Sequence, residues 1–236
     1  MSKKIVLLKI TGEILVGQDN HSLDKRMVCT IADQIKALAD SYYFGIVIGG
    51  GNFFRGSRQG KQLGLTPSVG HQVGMLATMM NGLIVKDIFE SHGLPSSLFC
   101  AVPAPEIGAP VSHQAINSAL AKGQCLIFSG GTGNPFFSTD TTAVLRALQI
   151  EAHEVWKGTL VDGVYADDPR KKPDVKRFEH ISYKEVLDKE LGIMDLPAIA
   201  LAQQHRLPIR VFDIFKKDAL LLAASDPLFG STINSY

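Results

Sequence analysis

The chain has 236 residues, 45% hydrophobic and 20% charged, which is the make-up of a globular core rather than of a disordered polymer. Its 24 Lys and Arg nearly balance 23 Asp and Glu, giving a formal net charge of +1. That balance argues against nucleic acid or an anionic membrane surface as the partner, so any anion binding has to be made locally.

The first apolar run, Ile5 to Ile10, is too short for a signal peptide and stops at Thr11-Gly12, so it reads as a strand. Asp24 to Tyr43 has helical spacing, with Met27, Ile31, Ile35 and Leu38 on one stripe. Phe44 to Ile48 reads as a strand that ends on three glycines. Ser68 to Glu90 reads as a long helix with Met75, Met79, Leu83 and Ile88 near one face, most of them bound for the core. Leu98 to Val102 is a strand and Ser112 to Lys122 a short helix. Cys125 to Phe128 is a strand running into Ser129-Gly130-Gly131, Thr139 to Ile150 is a helix, and a strand begins at Glu154. Gly158 to Pro173 is rich in Gly, Asp and Pro and reads as turns or a hairpin. Ser182 and Glu185 form a capping-box pattern, and Asp195 is placed to cap a helix reaching His205, with Pro197 in its first turn. Ile209 to Asp213 is a strand, Ala219 to Ala224 a helix and Ser231 to Asn234 a last strand. Strands alternating with helices predict an α/β fold built on a mainly parallel sheet with helices on both faces.

In such a sheet, ligands sit beyond the carboxyl ends of the strands. Three of these strands end in glycine-bearing loops: Thr11-Gly12, Gly49-Gly50-Gly51 and Gly130-Gly131-Thr132-Gly133. Thr11 and Gly12 can offer backbone N–H groups to a phosphate, and Lys9 can place an ammonium beside a transferring group. The triple glycine lets the backbone approach a ligand and form an anion-binding concavity, with the forked donors of Arg55 nearby. The third loop leads into a helix N-terminus, which favours anions. Asp140 at that point is either a helix cap or an ion-pair partner that holds Lys9. Tyr165 can stack on a base, and Asp168 can accept from a hydroxyl or amino group or simply shape a turn. There is no G-x-x-x-x-G-K-[ST], and neither H-R-D nor D-F-G occurs, which excludes P-loop enzymes and protein kinases. The three cysteines, Cys29, Cys100 and Cys125, are far apart in apolar segments and read as buried thiols suited to a reducing cytoplasm.

Taken in order, these segments resemble the amino-acid-kinase superfamily, and within it the bacterial uridylate-kinase family. The resemblance is carried by Lys9 to Glu13, Gly49 to Gly56, Gly74 to Gly82, Gly131 to Asp140, Thr159 to Pro169, Val186 to Asp195 and Leu207 to Phe212. Gly-Met-Leu-Ala-Thr at 74–78 and Thr-Gly-Asn-Pro-Phe-Phe at 132–137 are its most specific parts. The resemblance implies one domain over residues 1–236, a three-layer αβα sandwich. Its acceptor-binding part is roughly 1–150 and its ATP-binding part roughly 151–236. It implies phosphoryl transfer from ATP to UMP with Mg2+ held through the nucleotide phosphates, no protein metal ligand, and a cytoplasmic homohexamer. The other readings are a different small-molecule kinase of the superfamily or a non-catalytic nucleotide sensor.

Carried over residue by residue, the resemblance makes Lys9, Arg55 and Asp140 the catalytic set. It assigns Lys9, Ile10, Thr11, Gly12, Gly51, Arg55, Thr159, Tyr165 and Asp168 to ATP. It assigns Gly50, His71, Thr132, Gly133, Asn134, Pro135, Phe136, Phe137, Ser138 and Thr139 to UMP. The chain departs from the family at His71, where relatives carry an aspartate facing the ribose. It departs again at Leu160, in place of a common lysine, and at Gly17 to Ser22, where relatives often carry a glycine-rich segment tied to GTP activation.

Overall fold

The computed structural model describes residues 3–17, 23–55, 59–167, 171–172 and 174–235. Asp168, expected in the adenosine pocket, lies outside them, as does most of Gly17 to Ser22.

In chain order the elements are β1 (Lys4–Ile10), α1 (Arg26–Ala37), β2 (Tyr42–Ile48), α2 (Pro67–Ser91), β3 (Ser96–Cys100), β4 (Ala109–Pro110), α3 (His113–Ala121), β5 (Cys125–Ser129), α4 (Thr139–Gln149) and β6 (Glu154–Thr159). They continue with β7 (Val164–Tyr165), β8 (Arg177–Phe178), β9 (His180–Ser182), α5 (Tyr183–Asp188), α6 (Leu196–His205), β10 (Ile209–Asp213), α7 (Ala219–Ser225) and β11 (Ser231–Asn234). Nine strands form one sheet in the order β4-β3-β5-β2-β1-β6-β10-β11-β9, while β7 and β8 pair separately. Every neighbour in the large sheet is parallel except β10 and β11.

The central strands are buried on both faces, so their side chains divide by alternation. Val6, Leu8 and Ile10 of β1 join α1, α2 and α7 in one core. Leu7 of β1 and Val155 of β6 join α3, α4, α5 and α6 in the other. The expected three-layer α/β arrangement is the observed one.

The differences from the expected elements have local causes. The first helix ends at Ala37 rather than Tyr43, because Tyr42 already belongs to β2 and its ring packs 5.7 Å from that of Trp156. Leu83, expected on the apolar stripe of α2, is 45% exposed, with Val69, Leu76 and Met80 also facing outward. Asp195 flanks α6 without a side-chain cap bond, because its Oδ2 accepts from Thr141 Oγ1 at 2.7 Å instead. The Ser182–Glu185 capping box is present as read. Cys100 and Cys125 are buried, whereas Cys29 is partly exposed. Among the described residues, no helix is long and apolar enough to cross a membrane.

Candidate active site

The polar centre of the molecule follows from one register. β1 and β6 are parallel neighbours, and Lys9 stands directly opposite Lys157. Both lysines fall at positions whose alternation points to the α4 face, where an apolar side chain would otherwise sit. The chain meets them with Asp140 in the first turn of α4. Lys9 Nζ lies 2.8 Å from Asp140 Oδ1, and Lys157 Nζ lies 2.8 Å from Asp140 Oδ2. Lys157 also donates to the carbonyl of Ile193. All three side chains are largely shielded from water.

Burial works against the Asp140 carboxylate, but the charges of Lys9 and Lys157 outweigh it and hold the group below its ordinary range. Burial is the main influence on Lys157 and pulls its ammonium down; the Asp140 charge opposes this. Asp140 thus serves two ammoniums at once, and the charge of Asp195 also acts on Lys157.

The lowered Asp140 pKa has a consequence for acid stability. An unfolded Asp takes up its proton at higher pH than the folded one, so the contribution of Asp140 is complete above the unfolded pKa and is lost as pH falls through the folded one. Stability measured by urea denaturation should therefore drop below about pH 4. Asp140→Asn should remove part of that slope. An identical acid limb in both proteins would contradict the assignment.

Ser138, not Asp140, is the cap of α4: its Oγ accepts from the N–H groups of Asp140 and Thr141 at 2.9 and 3.2 Å. Asp140 is thereby free for the lysines. The loop ahead of it is held from two sides. Thr78 Oγ1 of α2 accepts from Gly130 N–H at 2.9 Å, and Arg146 of α4 donates to the Gly131 carbonyl at 3.1 Å. The two most specific sequence segments, around Thr78 and Thr132, are thus in physical contact. Gly130 and Gly131 have φ of +76° and +61°, and a Cβ on Gly130 would lie 2.9 Å from Val102 N. A side chain there would be both strained and obstructed. Thr132 Oγ1 accepts from Asn134 N–H at 3.2 Å. Beyond Gly133 and Pro135, Phe136 is 67% and Phe137 47% exposed, and the Phe136 ring sits 5.0 Å from that of His71 at the start of α2. His71 and Phe136, both expected at the acceptor, are thus brought together.

The glycine loop after β2 is equally fixed. Gly50 lies against α2, where a Cβ would be 2.8 Å from that of Ala77 and 3.0 Å from Gly74 O. Asn52 and Asn81 exchange side-chain hydrogen bonds of 3.0 and 2.7 Å, and Asn81 also donates to Gly49 O at 2.7 Å. Asn81 is fully buried. In the sequence it lies within the Gly74 to Gly82 segment, as an amide inside an apolar helix with no local sign of its partners.

Ile10 contributes only backbone to the site, since its side chain is in the core and its carbonyl accepts from Gly49 N–H at 2.9 Å. Thr11 caps the 3-10 turn Gly12–Leu15 through a hydrogen bond from Glu13 N–H. Arg55 is exposed, pairs with Glu13 and donates through Nε to Gly51 O at 3.3 Å. It is thus poised beside the loop it was expected to serve.

On the other side of Lys157 lies a cavity of about 450 Å³, lined by Thr159, Val161, Tyr165, Leu191 and Ile193 among others. Lys157, Asp167, Lys189 and Glu190 also line it, so the cavity is polar as well as roomy, and its volume has space for a nucleoside. Tyr165 donates to Asp162 Oδ1 at 2.7 Å. Burial, aided by that carboxylate, pushes its phenol pKa up, so its ring stays neutral. Thr159 and Tyr165 line the same cavity. Lys157, which lines this cavity, is tied to Lys9 through Asp140 at the start of α4.

Residues 4–213 match the sequence model of the amino acid kinase family. The uridylate kinase of Alcanivorax borkumensis is 44% identical over 217 residues, covering 92% of this chain and 86% of that protein. That of Idiomarina loihiensis is 44% identical over 220 residues, covering 93% and 89%. Among solved structures, UMP kinase from Ureaplasma parvum superimposes with a TM-score of 0.94 at 31% identity, with both chains covered completely. UMP kinase from Bacillus anthracis does so with a TM-score of 0.93 at 28% identity, covering 99% of this chain and 97% of that one.

Proposed function

The chain belongs to the amino acid kinase family, and from that premise we propose that it transfers the γ-phosphoryl group of ATP to UMP, yielding UDP and ADP. The observation that carries this reading is the Lys9–Asp140–Lys157 cluster, set between a nucleoside-sized cavity and a glycine loop at a helix N-terminus.

A phosphate oxygen of UMP attacks the γ-phosphorus in line. A new O–P bond forms, the bond to the β,γ-bridging oxygen breaks, and the electron pair leaves with ADP. The acceptor oxygen is already anionic near pH 7, since a second phosphate pKa is about 6, so no general base is needed. The difficulty is electrostatic. Two like charges a few ångströms apart repel by several kcal/mol in a poorly screened site. Lys9 lies at the junction and offsets that repulsion as charge moves in the transition state. Lys157 stands beside it, and Asp140 keeps both ammoniums in place. Gly51 and Arg55 serve the ATP phosphates, Thr159 and Tyr165 the adenosine. Gly50, His71 and the run Thr132 to Thr139 serve UMP. On this reading the acceptor groups fall before residue 150 and the adenosine groups after it, while Lys9, Gly51 and Arg55 reach the ATP phosphates from the first part.

Among the described residues, no three His, Cys, Asp or Glu side chains form a metal site. The carboxylate nearest the junction, Asp140, is taken by two lysines. Magnesium brought by the nucleotide would therefore be held by phosphate oxygens, where it supplies charge neutralisation. The free thiols suit a reducing cytoplasm. The outward stripe of Val69, Leu76, Met80 and Leu83 on α2 suits packing against further copies in a homohexamer.

The test is ADP release from ATP in the presence of UMP, CMP, or the carbamate and amino-acid acceptors of the wider family. UMP-selective turnover is the expected result. Turnover with an amino acid would move the chain to another branch, and nucleotide binding without turnover on any acceptor would make it a sensor.

A further inference from the structure

Arg146 of α4 is 4% exposed, yet its acceptors are neutral. Nη1 donates to Gln149 Oε1 at 2.6 Å and Nη2 to the Gly131 carbonyl at 3.1 Å. Nε is buried without a hydrogen-bond partner among the described residues. The guanidinium carbon lies 5.9 Å from the centre of the Phe128 ring, a weak form of compensation. A buried cation lacking a carboxylate is costly, and mere packing would be better served by an apolar residue. Burial indeed pulls its pKa down from the usual arginine value, but an arginine stays charged near neutrality.

What Arg146 touches is the turn that connects β5 to α4. A trans peptide points its C=O and N–H in opposite directions. Pinning the Gly131 carbonyl inward onto Arg146 therefore turns the N–H of Thr132 away from Arg146, to the opposite face of the turn. It also removes a carbonyl oxygen that would repel an anion. The left-handed backbone of Gly130 and Gly131 permits this orientation but does not by itself select it.

We infer that Arg146 is a positioning residue for the acceptor phosphate: from behind the Gly130–Gly133 turn it fixes the Gly131–Thr132 peptide with its N–H outward and adds a buried positive charge to that wall. This rests on the reading that the turn holds the phosphate of UMP. Arg146 acts through the loop and touches no substrate.

The test compares UMP with uridine, which lacks the phosphate, by calorimetric titration of wild type, Arg146→Met and Arg146→Lys. In Arg146→Met, UMP affinity should fall by about tenfold or more, with uridine affinity and the KM for ATP unchanged. Arg146→Lys keeps a charge but loses the fork, and should show a smaller loss confined to UMP. Equal weakening of UMP and uridine would assign Arg146 to the shape of the pocket and overturn the inference, as would unaltered UMP binding in Arg146→Met. If Arg146→Met does not fold, the same UMP and uridine pair read on Arg146→Lys decides. A wild type that binds UMP no better than uridine would instead sink the acceptor reading of the loop.

Discussion

Lys9→Ala is expected to lower kcat by roughly a thousandfold while UMP binding survives. Removing one preorganised donor from a transition-state site costs on the order of 10² to 10³ in rate, and here the donor carries a full charge in a shielded setting. Lys9 projects from β1 onto the α4 face, held by Asp140, at the junction of the two proposed nucleotide sites. The loop proposed to hold UMP is built by other groups: Thr78, Ser138 and the glycines after β5. Steady-state kinetics together with direct titration of UMP separate the two effects. A variant that keeps near-normal kcat would remove Lys9 from the chemistry. One that loses UMP affinity as steeply as rate would make it a binding residue.

Asp140→Asn should be damaging in both function and stability. The substitution keeps shape and removes charge, leaving two buried ammoniums facing each other across adjacent strands. Removing one partner of a buried ion pair costs about 3–5 kcal/mol, because the remaining charge is stranded. Lys157 is the more deeply enclosed lysine, and its ammonium is already pulled down by burial. Without Asp140 it would shed its proton more readily, and Lys9 would lose the contact that aims it. We expect a fall in kcat of a thousandfold or more and a midpoint clearly lowered in urea. Full stability with reduced rate would mean that the lysines relax to solvent. Normal rate would mean that Asp140 has no part in placing them.

Much of this site was legible in the sequence because its signals are local. Strand-ending glycines, a lysine two residues ahead of Thr-Gly, and a hydroxyl-rich approach to α4 are all readable within a few residues. Asp140 could be read as a partner for Lys9 because it opens that helix. Lys157 was not singled out, although it too precedes a glycine at the end of a strand. Its role depends on β1 and β6 being neighbours with Lys9 opposite Lys157, a pairing across most of the chain that no short window contains. Asn81 and Arg146 escaped for a related reason: a helical polar residue reveals its partner only once the loop it supports is folded over it. Asp195 shows the converse, since a local capping pattern lost to a distant hydroxyl. Of the sequence stripe on α2, Met79 is buried and Met75 and Ile88 partly so, whereas Leu83 faces outward, because periodicity reports that a helix has an apolar face and not what covers it.

The protein takes no covalent part in the proposed reaction: its groups hold two nucleotides and neutralise their phosphates. Rapid quenching of a single turnover with γ-labelled ATP and UMP tests this most directly. Label should pass from ATP to UDP with no labelled protein at any time. Label trapped on the chain before UDP appears, or label that stays in ATP while UMP is bound, would contradict it.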